Sequence, residues 1–218
     1  MKVSDAVNSR KSIRAFLDTP IDTSLLVNLL KLASRSPSGG NLQPWHIYLL
    51  NGKKMTDFKE FMKNWENPEL PQYEIYPPNL KEPYRTSRFE LGEAMYDLLS
   101  IHRDDKAARF AHLMENFNFF GAPAALFCFV DVTMGPPQWS DLGMFLQTFM
   151  LLAQEHGIDT CAQEAWAVKP DSLREFFSVP GELNIFCGMA IGYKDAHAKV
   201  NELHSQRRSE DQWLKIFE

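Results

Sequence analysis

The sequence has few cysteines, and their placement argues against a zinc site. Only Cys128, Cys161 and Cys187 occur among 218 residues, and none belongs to a CxxC pair or to a Cys/His spacing typical of metal ligands. An odd number of widely separated thiols does not suggest a disulfide framework either. We therefore expect three buried, reduced cysteines in a cytoplasmic protein that binds no metal ion.

Long hydrophobic runs are also missing. The most apolar windows, 124–130 and 143–153, are shorter than the roughly 20 residues that a membrane helix needs. The first residues do not combine a charged start with an apolar stretch, which is the pattern of a signal peptide. The formal net charge of −5 offers no general surface for nucleic acid. We expect neither a membrane protein nor a nucleic-acid-binding protein.

Two common nucleotide-binding motifs are absent as well. The paired glycines at 39–40 are not followed by the Lys-Ser/Thr of a P-loop, and no GxGxxG follows a predicted strand. What the sequence does have is 44% hydrophobic and 23% charged residues, enough for a sizeable core in a chain of this length. We expect a single domain over residues 1–218.

The hydrophobic periodicity predicts an α+β fold dominated by helices. Helices are expected at about 22–36, 53–63, 91–99, 110–117, 139–156 and 171–177, and strands at about 45–50, 124–130, 158–161 and 183–193. The run at 124–130 is continuously apolar, which indicates a strand covered on both faces. The helix at 139–156 is apolar nearly all round, so we expect it to be buried on every face within an oligomer.

Two segments are expected to lack regular structure. Five prolines between 68 and 83 predict an irregular excursion over about 65–83, and a loop of this length is more often functional than accidental. The last stretch, at about 201–218, is polar with scattered aromatic residues. This composition would suit a C-terminal arm that lies over a partner.

Four polar segments are candidates for chemistry. Arg10-Lys11-Ser12-Ile13-Arg14 is either a phosphate clamp, since guanidinium groups bind phosphate bidentately, or a solvated charged loop. The loop at 36–45, with Asn41 and Gln43, either approaches a flat ligand or simply connects a helix to a strand. The remaining candidates are Glu164, either an acid–base group or a solvent-facing side chain, and Arg207-Arg208, either a second phosphate contact or a charged tail.

The order of these segments resembles that of the nitroreductase family. The stretch at 10–16, RKSIRAF, is similar to the family's N-terminal flavin motif, and SPSGGNLQPW follows at 36–45. The series continues in the family's order at 141–147, 157–164, 186–193 and 201–207. Each motif is weak alone, but together they cover nearly the whole chain.

The resemblance implies a nitroreductase-like α+β fold, with a central mixed sheet flanked by helices in an intertwined homodimer. It also implies two FMN sites at the subunit interface. Arg10, Ser12 and Arg207 are then expected to hold the FMN phosphate and ribityl chain, with Lys11 in the same motif. Arg14 is expected near the pyrimidine edge of the flavin.

The remaining expected site residues lie around the flavin ring. A loop of the other subunit is expected to approach the ring through Pro37, Ser38, Gly39, Asn41 and Gln43. Gln163 and Glu164 are expected at the reactive edge, where the family uses a backbone N–H rather than an acidic side chain. No catalytic side chain is therefore expected.

The resemblance further implies an enzyme, an NAD(P)H-dependent FMN nitroreductase. It would transfer hydride from NAD(P)H through flavin N5 to small nitroaromatic acceptors by a ping-pong mechanism. Phe119, Phe120 and the excursion at 65–83 are expected to wall the acceptor pocket. The stretch at 84–123 is similar in particular to a bacterial branch that includes nitrobenzoate and nitrobenzene reductases.

Several alternatives stay open at this stage. The same site would serve a quinone or activated-alkene reductase, and a flavin-binding redox sensor without turnover would retain the same residues. The preference between NADH and NADPH is also open. Arg208 is an alternative to Arg207 as the phosphate contact, because Ser209-Glu210 follows the pair where Pro-Leu is common in the family.

Overall fold

A computed structural model describes every residue from Met1 to Glu218. It contains seven α-helices, five strands and five short 3-10 turns. The helices are α1 (Val3–Ser9), α2 (Thr23–Ala33), α3 (Lys53–Lys63), α4 (Tyr84–Leu98), α5 (Lys106–Met114), α6 (Pro136–Glu155) and α7 (Pro170–Phe177). The strands are β1 (Phe16–Leu17), β2 (His46–Asn51), β3 (Ala124–Asp131), β4 (Asp159–Gln163) and β5 (Leu183–Lys194). The 3-10 turns are Gly39–Asn41, Glu115–Gly121, Glu164–Val168, Lys199–Glu202 and Glu210–Gln212.

The predicted α+β class is confirmed, and most element bounds agree within a few residues. The start of α2 shows why, since the Asp22 carboxylate accepts the Ser24 backbone N–H at 2.8 Å and caps the helix. The helix ends at Ala33, three residues before the position expected from the steric effect of Pro37. The strand expected at 158–161 extends to Gln163, so that residue belongs to β4.

The sheet has the order β1-β5-β3-β2, and β4 also pairs with β5. All four strand pairs are antiparallel. The only parallel contact is an isolated bridge between Ser12 and Thr160. The mixed character expected of the sheet is therefore confined to this bridge, which joins the N-terminal segment to β4.

A β-bulge interrupts the pairing of β3 with β5. Cys128 lies opposite Cys187, whereas the next residue, Phe129, lies opposite Ile185. Phe186 is thus left out of the register, as expected for a strand with one extra residue. The bulge lies two residues before Gly188, which pairs with Gln163 at the end of β4.

Two cores lie on opposite faces of β3, whose first seven residues are buried. Leu126 and Val130 belong to the cluster that contains α2 and α6 residues, whereas Phe127 and Phe129 belong to the cluster with Phe58 of α3. The alternation of side chains along a strand produces this division. It confirms that β3 is covered on both sides.

The three cysteines are free and buried in these cores. Burial raises the pKa of the Cys161 thiol to about 11, and it also raises the pKa values of Cys128 and Cys187. Such thiols stay protonated near neutral pH and react slowly.

Helix α6 is enclosed on only one face within the single chain. Leu142, Phe145 and Phe149 are fully or almost fully buried, but Met144 is 40% exposed. Within the single chain, α1, α2, the turn Gly39–Asn41 and the sheet pack against α6, and its remaining face is left uncovered. Cover by another subunit remains a prediction. None of the helices has the length and apolar character needed to cross a bilayer.

Candidate active site

The N-terminal motif is fastened to the first half of β4. The Ile13 N–H donates to the Thr160 carbonyl at 3.1 Å, and Ser12 forms the parallel bridge to Thr160. The Ile13 side chain is 1% exposed and packs inward. Burying this one residue leaves its polar neighbours, Arg10 and Arg14 among them, on the outer side of the strand.

Asn201 ties the C-terminal segment to the same motif. Its side-chain oxygen accepts the Arg14 backbone N–H at 2.8 Å. Its amide nitrogen donates to the carbonyls of Ala15 and Asp195, at 2.8 and 2.9 Å. Two hydrogen bonds from this side chain therefore hold Asn201 beside Arg14 and Ala15, and the third ties it to Asp195.

The two chain segments enclose a pocket of about 440 Å³, here called the cation pocket. It is lined by Val7, Asn8, Arg10, Lys11, Ser12, Arg14, Leu91, Leu203, His204, Ser205 and Arg207. Four of these side chains are cationic and none is a carboxylate. Arg10, Lys11, Arg14 and Arg207 take part in none of the ion pairs of the chain.

Arg207 is held in place while much of its hydrogen-bonding capacity stays free. One terminal nitrogen donates to the Ser205 carbonyl and hydroxyl oxygens, at 3.0 and 2.8 Å, and to the Gln206 carbonyl at 3.3 Å. The other terminal nitrogen and Nε have no partner within the chain. A guanidinium positioned by one nitrogen, with its other donors free, is suited to bidentate binding of an oxyanion.

The positive charge of the pocket acts on groups beneath it. Burial lowers the pKa of His112, and the positive charge of Arg14 lowers it further, whereas Glu115 opposes the shift. Arg14 and Arg10 also act on Cys161, where they oppose the effect of burial. Uncompensated cations around an open pocket form a donor set suited to a phosphate.

Five of the predicted site residues therefore meet in one pocket: Arg10, Lys11, Ser12, Arg14 and Arg207. Arg208 does not line this pocket. Its guanidinium carbon lies 5.4 Å from the centre of the Tyr84 ring, and it borders a neighbouring pocket. The structure thus separates two arginines that the sequence leaves equivalent.

Gln163 ends β4, roughly 10 Å from Thr160 at the rise of about 3.3 Å per residue of a strand, and Glu164 follows it. Gln163 is 2% exposed, and its amide nitrogen donates to the Asn116 carbonyl at 2.7 Å, but its side-chain oxygen has no partner. Glu164 is exposed and begins the 3-10 turn Glu164–Val168. The motif at residues 10–14 and this turn thus lie at the two ends of the short strand β4.

The loop at 37–43 does not line the cation pocket. Its Gly39 N–H donates to the Asp141 carboxylate at 3.2 Å, and the Ser38 hydroxyl accepts the Gln43 N–H at 3.0 Å. Gly40 adopts φ 58°, a left-handed conformation that glycine takes without strain. Pro37, Ser38, Gly39, Asn41 and Gln43 are therefore not brought to the clamp within a single chain.

Phe119 and Phe120 do not wall a pocket. They are 0% and 6% exposed, and the Phe119 ring stacks on Trp166 with a centroid distance of 4.9 Å. Both residues adopt φ 53° in the turn Glu115–Gly121, which directs them into the core around Phe58. The expectation for these two rings was wrong, because buried aromatic rings and pocket-lining rings have the same signature in a sequence.

The segment at 64–83 contains no helix or strand, and three of its residues are bonded to parts of the chain distant in sequence. Glu69 is the first, with one carboxylate oxygen accepting the backbone N–H groups of Asp171 and Ser172, at 2.7 and 2.9 Å. The other oxygen lies 3.4 Å from Lys169 Nζ, and the Glu69 side chain is 1% exposed. Glu69 thus caps α7, whose first backbone donors would otherwise be unsatisfied.

The other two attachment points lie beside the end of β4. The Gln72 N–H donates to the Ala167 carbonyl at 2.7 Å, within the turn that starts at Glu164. The Tyr73 hydroxyl donates to the carbonyl of Phe186, the residue that the β-bulge leaves out of the register. Burial raises the pKa of Tyr73, and the nearby Cys187 and Glu164 raise it further. The excursion is therefore fixed against the turn that carries Glu164.

Sequence reasoning gave no role to Asn201, Glu69 or Tyr73. Asn201 and Glu69 form their bonds with residues about one hundred or more positions away, so no local pattern reveals them. For Tyr73 the only available signal was a tyrosine within a proline-rich segment, which does not indicate its partner. No three or more His, Cys, Asp or Glu side chains converge as metal ligands would.

Comparison with known proteins agrees with this geometry. The model of the nitroreductase family matches residues 7–193. The chain belongs to the nitroreductase family. It is 36% identical to a 4-nitrobenzoate reductase of Pseudomonas putida, with 92% of this chain and 89% of the relative covered. It is 30% identical to a chloronitrobenzene nitroreductase of Comamonas testosteroni, with 94% of this chain and 92% of the relative covered.

A solved structure gives the same result for the fold. The FMN and NADPH-dependent nitroreductase NfnB from Sphigopyxis sp. strain HMH is 39% identical and superimposes with a TM-score of 0.94, with 100% of each chain covered. The nitroreductase fold expected from the sequence is confirmed.

Proposed function

We propose that this chain is an FMN-dependent oxidoreductase that uses NAD(P)H to reduce nitroaromatic compounds. The single observation that carries the proposal is the cation pocket, where Arg10, Lys11, Arg14 and Arg207 meet without a carboxylate among the lining residues. Four unpaired cations repel one another, so a pocket of this kind favours an anionic occupant. The names of the similar reductases support the choice of FMN, NAD(P)H and nitroaromatic compounds.

Within this proposal, Arg10, Ser12 and Arg207 bind the phosphate and the ribityl chain. The Ser205 contacts keep the Arg207 guanidinium in position before the ligand arrives, which reduces the entropy lost on binding. Arg14 lies at the pyrimidine edge of the flavin, with its main chain fixed by Asn201. A fixed cation at that edge stabilises negative charge that develops on the ring system.

The redox chemistry belongs to FMN, which when bound accepts hydride from NAD(P)H at N5 and passes electrons to the nitro group. The protein holds the cofactor and the reactants in position and supplies the electrostatic field around them. The turn at Glu164–Val168 presents backbone N–H groups at the reactive edge, and no acidic side chain is needed there. Because both substrates use the same face in turn, we propose ping-pong kinetics.

A homodimer completes the site in this proposal. The loop at 37–43 lies apart from the cation pocket of its own chain, so a partner's copy is the one that approaches the ring. Exposed Met144 on α6 supports a partner surface at that helix. The buried free thiols support a cytoplasmic location.

The excursion, rather than Phe119 and Phe120, supplies the chain's own wall for a flat acceptor. Tyr73 is half-buried, with its ring centroid 5.3 Å from that of Trp139, and Glu164 acts on its hydroxyl. Trp139 in turn lies 5.4 Å from the Phe186 ring. An aromatic surface beside the reactive edge suits a flat, electron-poor ring.

Cofactor titration and anaerobic spectroscopy test the proposal. The purified protein, incubated with FMN and desalted, should be yellow, lose its colour with NADPH and regain it with 4-nitrobenzoate. Riboflavin, which lacks the phosphate, should bind at least about tenfold more weakly than FMN, because charge-assisted bonds to phosphate are lost. A protein that stays colourless, or that binds riboflavin as tightly as FMN, contradicts the proposal.

A further inference from the structure

A second pocket adjoins the cation pocket. It has a volume of about 710 Å³ and lies between α4 and the segment at 204–212. It is lined by Pro83, Thr86, Ser87, Glu90, Leu91, Ala94, His204, Ser205, Gln206, Arg207, Arg208 and Gln212. Leu91, His204, Ser205 and Arg207 line both pockets, so the two are continuous along one side of α4.

Arg208 is the cation that belongs to this second pocket alone. It has no carboxylate within ion-pair distance and no side-chain hydrogen bond within the chain. Its guanidinium lies 5.4 Å from the centre of the Tyr84 ring. Contact with an aromatic face orients a guanidinium while its in-plane N–H donors stay free for an oxyanion.

The other lining residues favour a sugar phosphate over an aromatic acceptor. Thr86, Ser87, Gln206 and Gln212 offer hydroxyl and amide groups, and no Phe, Tyr or Trp side chain lines the pocket. Glu90, the one carboxylate, has no ion-pair partner and can accept a hydrogen bond from a sugar hydroxyl. This lining matches the phosphate-and-ribose part of a nucleotide.

The continuity of the two pockets indicates which nucleotide the second pocket would bind. FMN has one phosphate, which under the proposed function occupies the cation pocket. The other reactant, NAD(P)H, must bring its nicotinamide to the same flavin, and its remaining phosphates then need a separate binding site nearby. The second pocket is the neighbouring space, and it contains one cation, Arg208, that the cofactor does not use.

We propose, in an inference that rests on the proposed function, that Arg208 and the second pocket bind a phosphate of the nicotinamide dinucleotide. Arg207 serves the FMN phosphate, and Arg208 serves the co-substrate. The phosphate is either the 2′-phosphate, which only NADPH carries, or the pyrophosphate, which both NADPH and NADH carry.

Arg208→Ala is the variant that tests this assignment, with Arg103→Ala as its matched control. Arg103 is an exposed arginine outside both pockets, and its guanidinium carbon lies 5.3 Å from the Phe89 ring centroid, nearly the same kind of contact. Steady-state KM values for NADPH and NADH and the bound FMN per chain are measured for both variants. Calorimetric titration with 2′,5′-ADP and 5′-AMP gives a readout that does not depend on turnover.

The inference predicts that Arg208→Ala raises the KM for NADPH about 10- to 100-fold, the range expected for one charge-assisted phosphate contact. Bound FMN should stay near that of the unchanged protein. An unchanged KM for NADH together with weaker 2′,5′-ADP binding assigns Arg208 to the 2′-phosphate, whereas parallel losses for NADPH and NADH assign it to the pyrophosphate. Either outcome supports the inference.

Three outcomes overturn it. Loss of FMN with unchanged KM values assigns Arg208 to the cofactor. A higher KM for 4-nitrobenzoate but not for nitrobenzene, with NADPH unaffected, assigns it to a carboxylate of the acceptor. An effect no larger than that of Arg103→Ala leaves Arg208 without a binding role. In each case a protein that still retains FMN and reduces nitroaromatics keeps the proposed function intact.

Discussion

The cation pocket and the excursion at 64–83 lie near opposite ends of β4 and satisfy their charged groups in opposite ways. The pocket presents four cations with no carboxylate partner, on side chains that are half-buried or exposed. The excursion instead places Glu69 at 1% exposure, bonded to Lys169 and to the start of α7. The cations of the pocket have no ion-pair partner in the chain, whereas the Glu69 carboxylate is paired within it.

This difference separates binding from stability. A polar group without an internal partner contributes little to folding but is available to a ligand, whereas a buried bonded group becomes costly when its partner is removed. Substitutions in the cation pocket should therefore weaken FMN binding and leave the fold intact. Substitutions of the attachment points of the excursion should do the reverse.

The double variant Arg10→Ala/Arg207→Ala gives the largest expected effect. Each guanidinium supplies charge-assisted bonds worth about 1.5–3 kcal/mol, so the Kd for FMN should rise about 10²- to 10⁴-fold. The free energy of unfolding of the FMN-free protein should stay the same or increase slightly, because like charges are removed. Fluorescence titration with FMN and urea unfolding measure the two quantities.

The matched control is Arg103→Ala/Lys63→Ala, which removes two exposed cations outside the pocket. It should leave the Kd for FMN within about twofold, since exposed charges at a distance are screened by salt. Equal losses in both double variants would mean that net charge, rather than the pocket, determines FMN binding.

Glu69→Ala is expected to lower the free energy of unfolding by about 3 kcal/mol. It removes the cap of α7 and leaves Lys169, whose side chain is 28% exposed, without its partner. FMN affinity should change less than twofold. Glu66→Ala, an exposed glutamate of the same segment, serves as the control and should stay within about 0.5 kcal/mol in urea unfolding. A stable Glu69→Ala protein would show that the excursion is held by other contacts.

Tyr73→Phe is expected to cost about 1 kcal/mol, the ordinary net value of one hydrogen bond. The loss leaves the Phe186 carbonyl at the β-bulge without its tyrosine donor. The control is Tyr76→Phe, because the Tyr76 ring is 49% exposed and contacts Arg88 through its face rather than its hydroxyl. Equal stability of the two variants would show that the tyrosine hydroxyl does not support the bulge.

The same contrast explains how much the sequence could predict. Strand β3 and helix α2 were found because their signals are local, a continuous apolar run and an aspartate cap. The residues of the clamp were named from a resemblance, but their convergence depends on Asn201, which bonds across 187 positions of the chain.

The failures have a physical reason as well. Phe119 and Phe120 adopt a left-handed turn that points them into the core, and no local pattern predicts that turn for phenylalanine. The resemblance named Arg207 with Arg208 as its alternative, and the fold then places only Arg207 in the cation pocket. In both cases the position of the side chain depends on tertiary structure, which a local sequence pattern does not contain.

The smallest predicted effect uses His112 as a reporter of the cation pocket. Burial and the Arg14 charge favour its neutral form, so its folded pKa lies below the ordinary value of about 6.5. The linked stability is therefore fully present above pH 6.5 and is lost as the pH falls through the folded pKa. Acid should destabilise the FMN-free protein through this group.

An anion in the pocket offsets the Arg14 charge, so inorganic phosphate or FMN should raise the His112 pKa toward its ordinary value. The pH window in which this group destabilises the protein should then narrow from its lower edge, and the loss of stability in acid should become smaller. Arg14→Ala should raise this pKa without any ligand and should abolish most of the response to phosphate. Lys11→Ala is the control, since Lys11 lines the same pocket but is not among the charges that shift His112. NMR titration of the imidazole signal, assigned with His112→Gln, measures each value. If neither Arg14→Ala nor phosphate changes the His112 pKa, burial rather than the Arg14 charge is what lowers it. The electrostatic field of the cation pocket would then not extend to His112.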